Sequence, residues 1–180
     1  MATTQKIPIL FVDPGPSVAL DSLAQTALKT GRWQFPAYAT KSAFGIVKIP
    51  ESLAGSPNPK IEVTIGGNAL LGGASIDVAT KVFADDAETY DFSLLVRDVI
   101  QDFPAPVKSK KTKKLTFTGG DLANVASGKF LWVEVRRLGG CGRLANEADI
   151  ELIGASLNVD VVTVTGISDA ELFAREAMRI

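Results

Sequence analysis

The chain has no histidine and a single cysteine, Cys141, among its 180 residues. Without histidine there is no Ser–His or Cys–His pair, and so no common route to an activated nucleophile or to acid–base chemistry near neutral pH. Without a second cysteine there is no internal disulfide. Cys141 sits in the glycine-rich stretch 138–143, where Arg137 and Arg143 are the nearby cations in sequence; it reads as an inert thiol in a reducing compartment, or in a protein that never needed bridges. Excess charge is also lacking. The 19 basic and 20 acidic residues leave a net charge of −1, which excludes charge as a driver of nucleic-acid or anionic-membrane binding. No apolar run approaches the ~20 residues of a membrane-spanning helix. The run at 7–12 (IPILFV) is interrupted by Pro8, ended by Asp13-Pro14-Gly15-Pro16, and too short for a secretory signal. The expectation is a soluble, non-enzymatic protein made in the cytoplasm, with no cofactor and no metal.

What the chain does have is alternation. Hydrophobic residues make up 46%, enough for a core, and charged residues 22%. Apolar and polar residues alternate over 60–65 (KIEVTI), 74–83 (ASIDVATKVF), 114–118, 129–136 (KFLWVEVR) and 149–164, the pattern of half-buried strands. In these, Ile61, Val63 and Ile65 share a face; Ile76, Val78, Thr80 and Val82 oppose Ser75, Asp77 and Lys81. Leu131, Val133 and Val135 oppose Glu134 and Arg136, and Ile153, Ala155, Leu157, Val159 and Val161 line one side of a long strand. Further strands are expected at 32–39, 43–49 and 92–96, with 101–113 as loop. Helical spacing predicts a short helix at 21–29, a single turn at 121–126 capped by Asp121, and an amphipathic helix at 167–180. About eight strands bounded by Gly/Pro turns, with long connections, predict an all-β fold: a jelly-roll-like antiparallel β-sandwich. The organisation is an extended N-terminal arm at 1–18, a sandwich domain at 19–166 and a C-terminal helix at 167–180. The arm either adds an edge strand to a sheet or reaches a neighbouring subunit.

Few constellations suggest chemistry. Asp85, Asp86, Glu88 and Asp91 form an acidic loop, but their spacing matches no calcium-loop pattern. Glu62, Asp77, Glu134 and Glu151 are expected on outward faces, where nothing singles out a catalytic pair. The run at 108–114 holds five lysines in seven residues, Lys108, Lys110, Lys111, Lys113 and Lys114. It has the form of a nucleic-acid patch but no interleaved aromatics, and reads as a solvated loop beside an acidic neighbour, or one docking on an acidic protein surface. Aromatics are scarce, at 7%. Among them Trp33, Phe35, Tyr38, Phe130 and Trp132 admit a sugar-binding reading. Phe130 and Trp132 fall on the face opposite Leu131, Val133 and Val135, where an arm, a helix or a partner subunit is expected to cover them.

The order of these segments resembles a known group. An aromatic-Pro strand (Trp33 to Pro36), a strand ending Ile49-Pro50, the Lys-Ile-Glu-Val-Thr strand at 60–64, Lys114 to Phe117, and Gly-Lys-Phe-Leu-Trp-Val-Glu-Val-Arg-Arg at 128–137 follow one another. Asn146 to Asp149 then leads into Ala-Ser-Leu-Asn-Val-Asp-Val at 155–161. Over roughly residues 31–164 this is similar to small β-sandwich virion proteins of tailed bacteriophages, found as capsid decoration proteins or head- and tail-fibre modules. The resemblance implies a jelly roll, often a homotrimer, that sits on the capsid lattice in the virion and contacts capsid protein. Candidate contact residues are Ile7, Ile9, Leu10, Phe11 and Val12 of the arm, the five lysines, Phe130 and Trp132, and Leu172 and Phe173 of the C-terminal helix. The alternative is a carbohydrate-binding module of a phage fibre or secreted enzyme, which predicts exposed aromatics. A genome-packaging coat protein is disfavoured because no basic N-terminal arm is present.

Overall fold

Alternation in the strand at 130–137 sets the centre of the molecule. Leu131, Val133 and Val135 are wholly buried, while Phe130 and Trp132 on the other face are half-buried, as a period of two requires. The computed structural model describes residues 2–13, 19–20, 33–35, 40–67, 74–83, 94–103, 111–139 and 150–162. They form β1 (Ala2–Pro8), β2 (Leu10–Asp13), β3 (Ala19–Leu20), β4 (Trp33–Phe35), β5 (Lys41–Lys48) and β6 (Lys60–Gly67). These are followed by β7 (Ala74–Phe83), β8 (Val96–Arg97), β9 (Gln101–Phe103), β10 (Lys111–Phe117), β11 (Phe130–Arg137) and β12 (Ile150–Val162).

The strands make two antiparallel sheets packed as a sandwich. One runs β10-β6-β12-β4-β3, with β1 beside the C-terminal half of β12. The other runs β2-β5-β11-β7-β8, with β9 also on β7. Ile61, Val63, Ile65, Leu115, Phe117, Leu157 and Val159 of the first sheet meet Val47, Ile76, Val78 and the β11 trio of the second. Each such side chain stabilises the fold by about 1.5–3 kcal/mol on burial.

The N-terminal segment belongs to this body. β1 pairs with β12 and β2 with β5, so the arm splits between the sheets and adds an edge strand to each. Ile9, between the two strands, is buried in the core, with Ile7 and Phe11 packed against it.

Several expectations are corrected. Ile153 does not join the inner row of β12: a bulge between Leu152 and Gly154 changes the phase, turning Leu152 inward and leaving Ile153 39% exposed. Ser75, Asp77 and Glu134 do not face solvent; β7 is buried on both faces because Arg97, Arg136 and Asp102 bond across it. The segment at 101–113 is not all loop: Gln101–Phe103 pairs with β7, and β10 begins at Lys111. Lysines suit β10, since it is an edge strand and charge there discourages pairing with a foreign strand. In the 92–96 segment, Leu94 and Leu95 are unpaired and β8 begins at Val96, while 92 and 93 lie outside the described residues.

The turn at 121–126 is a 3-10 turn over Leu122–Asn124, and the Asp121 side chain does not cap it. That carboxylate instead accepts the Val82 amide proton at 2.7 Å. The helices expected at 21–29 and 167–180, the acidic loop 85–91 and Cys141 lie outside the described residues.

Candidate binding surfaces

The bulge in β12 shapes a groove on the outer face of the first sheet. Gly154 stands opposite Thr64 of β6, and a Cβ placed on it would meet nothing within 4 Å. A cavity of about 410 Å³ opens there, walled by Pro8 and Ile153 and edged by Lys6, Glu62, Thr64 and Ser156. Glu62 is its electrostatic centre. Its carboxylate lies 3.1 Å from the Lys6 ammonium of β1 and 3.5 Å from the Lys114 ammonium of β10. Hydrogen bonds from Lys6 and then Asn158 hold the Glu62 carboxyl below its ordinary range, with the charges of Lys114 and Lys6 adding to the effect. Deeper in, the buried Ser156 hydroxyl donates to Asn158 Oδ1 at 3.3 Å.

The outer face of the second sheet has an aromatic end and a charged end. Phe83 meets Trp132 edge-on, with ring centres 6.5 Å apart at 88°, and the Lys48 ammonium lies 6.0 Å from the centre of the Phe130 ring. At the charged end the buried Asp77 carboxylate takes two hydrogen bonds from Arg136, through Nε at 3.0 Å and through Nη2, while Arg97 reaches it at 3.4 Å. Arg97 also bonds Glu134 at 3.0 Å, and the Ser42 hydroxyl donates to Glu134 at 2.5 Å. Asp77 raises the Arg136 pKa above its usual value against the opposing effect of burial. These carboxylates are occupied by arginines, which suits anchoring of β8 and not acid–base chemistry.

Both edges of this second sheet carry exposed apolar side chains. On β2, Leu10 is 68% exposed; along the β8–β9 edge Leu94, Val96, Val99 and Ile100 are exposed, Val99 to 76%. Four large apolar residues open to solvent within seven consecutive positions are more than scattered surface hydrophobics.

The contact residues expected from sequence are therefore separated. Ile9 is in the core and offers no surface, so its placement as a contact residue is corrected, while Leu10 is open and Ile7 and Phe11 are half-covered. Phe35 is likewise wholly buried, which removes it from a sugar platform. Phe130 and Trp132 share a face with Phe83 and Lys48. Lys114 pairs with Glu62, and Lys113 reaches the Asp102 carbonyl at 3.5 Å. Val12 and Lys111 are described as strand backbone alone, and Lys108, Lys110, Leu172 and Phe173 lie outside the described residues. The strip at 94–100 was not singled out from sequence. Its signal is a high apolar density at Leu94, Leu95, Val96, Val99 and Ile100, interrupted only by Arg97 and Asp98, without the alternation of a half-buried strand.

Among the described residues, no group of three or more Cys, Asp or Glu is arranged to hold a metal ion. No described helix is long and apolar enough to cross a membrane.

No protein-family model and no curated protein matches the chain. Among solved structures, it is similar to a carbohydrate-binding module in complex with β-1,4-galactotriose, at 11% identity and a TM-score of 0.36, over 81% of this chain and 89% of that one. A likeness this distant carries no functional weight.

Proposed function

We propose that the chain is a structural virion protein that assembles into a ring, most specifically a capsid decoration protein binding a phage head, and that its sandwich is a jelly roll. The strand order supports the jelly-roll reading. Strands β4, β12, β6 and β10 lie side by side in one sheet and β5, β11, β7 and the β8–β9 edge in the other, so consecutive strands mostly cross between sheets. The virion role rests on the sequence resemblance and on a lack of histidine that leaves the chain poorly equipped for catalysis.

The observation that carries the assembly reading is the pair of unlike apolar edges on the second sheet. Leu10 marks one edge, and Val96, Val99 and Ile100 the other, so the partner that fits is a second copy placed head to tail. Such contacts between unlike surfaces close into a cyclic oligomer when the rotation between copies closes and run on as a filament when it does not; the reading is the closed case, of which a trimer is the simplest ring. A net charge of −1 puts little repulsion between copies. Capsid protein is the second partner, and the virion is the location, with the chain made in the host cytoplasm.

Light scattering over a dilution series tests this. A stable trimer supports the ring, and its co-sedimentation with capsids supports the decoration role. A monomer at every concentration overturns the ring.

A further inference from the structure

We propose that the groove over Gly154 is a binding site for a neutral polyhydroxylated ligand, a sugar unit of a glycan. The inference is independent of the ring, which uses the edges of the other sheet.

Charge narrows the ligand class. The groove is lined by one cation and one anion, Lys6 and Glu62, 3.1 Å apart, so a phosphate or carboxylate ligand drawn by Lys6 is repelled by Glu62. A cation would be drawn by Glu62 and repelled by Lys6. A hydroxyl both donates and accepts, so adjacent hydroxyls match a carboxylate beside an ammonium. Glu62 accepts from Lys6 and Asn158 and keeps lone pairs for further donors, while the half-exposed Lys6 ammonium keeps N–H groups for acceptors.

Shape agrees with that class. The volume of about 410 Å³ lies within the ~300–1,000 Å³ of small-molecule sites. Pro8 and Ile153 present apolar walls to sugar C–H groups, and Thr64 and Ser156 add hydroxyls to the lining. The bulge at Leu152/Gly154 turns Ile153 outward as a wall and sets Gly154, with no side chain, at the bottom. A groove of this kind on the sandwich face leaves both sheet edges free for assembly.

The test is amide-shift titration by NMR with maltotriose, cellotriose and chitotriose, each to about 10 mM, the range in which weak sugar affinities register. Inorganic phosphate and calcium chloride serve as charged probes. The expected result is that at least one trisaccharide shifts the Thr64, Gly154 and Ser156 amides with millimolar affinity. Gly154→Leu, whose side chain grows into open space, should leave the melting temperature unchanged and weaken binding at least about tenfold. Should Gly154→Leu fold poorly, Glu62→Gln carries the test with the same expected loss. No shift with any trisaccharide, shifts with phosphate or calcium instead, or binding that survives both substitutions would each overturn the proposal.

Discussion

Gly45 lies beneath Ile9: a Cβ on Gly45 would stand 2.6 Å from Ile9 Cγ2 and 3.1 Å from Phe11 Cδ1. The bare backbone at Gly45 lets β2 close onto β5 and seats Ile9 in the core, so the N-terminal segment is fixed by a position 36 residues further along (45 − 9). Gly45→Ala should force β2 outward and destabilise the fold by about 1–3 kcal/mol, the usual cost of overpacking. Urea denaturation measures the loss. Faster amide exchange confined to residues 10 and 11 would locate it, and an unchanged midpoint would show that β2 is held by other contacts.

The paired hydrogen bonds between Arg136 and the buried Asp77 predict a second asymmetry. Arg136→Met leaves the 2%-exposed carboxylate with only the longer contact to Arg97, and should cost about 3 kcal/mol. Asp77→Leu combined with Arg136→Met removes both charges and should recover most of that loss, because a buried pair replaced by apolar groups is often neutral. A double variant no more stable than Arg136→Met alone would mean that Asp77 chiefly serves Arg97.

Glu62 gives the molecule a defined acid response. Its folded pKa lies below the ordinary 4.5. The stability it contributes is therefore fully present above that value and is lost as pH falls through the folded pKa. Between neutrality and pH 5 the melting temperature should be insensitive to Glu62→Gln beyond a constant offset. As pH falls below 4.5 and through the lower folded pKa, the wild type and the variant should converge. Curves that diverge on acidification would contradict the assigned direction.

How much of this was legible beforehand depended on whether the determinant was local. Alternation within 60–65 and 130–136 is a property of neighbours, and Ile61, Val63, Ile65, Leu131, Val133 and Val135 all occupy the core faces it indicates. Opposite them, Phe130 and Trp132 were legible as the outer face. The two-sided burial of β7 was not, because it depends on Arg97 and Arg136, 20 and 59 residues from Asp77. The groove was not legible either: Lys6, Glu62 and Ser156 come from three strands, and alternation says nothing about which strands become neighbours. The lysines of β10 read from sequence as part of a solvated loop; their place on an edge strand follows from topology alone.

The bulge in β12 is the sharpest case of a local pattern misleading, and adjacent residues test it. Leu152→Ala should cost about 2–5 kcal/mol, as for a buried leucine. Ile153→Lys should change stability by no more than about 0.5 kcal/mol, as for an exposed position. The opposite ranking would require the uninterrupted alternation that places Ile153 in the core.

Head-to-tail assembly makes a prediction that distinguishes it from a two-fold dimer. Leu10→Lys should spoil one edge and a Val99→Lys, Ile100→Lys double substitution the other, each on side chains too exposed to disturb the fold. Separately, each variant should be monomeric by light scattering, with unchanged melting. Mixed in equal amounts, they retain one intact pair of unlike edges and should form a dimer that cannot close into a ring. A two-fold contact through the β8–β9 edge behaves differently, since Leu10→Lys would then assemble as the parent does and the mixture would gain nothing. The mass of the mixture therefore decides whether unlike edges meet.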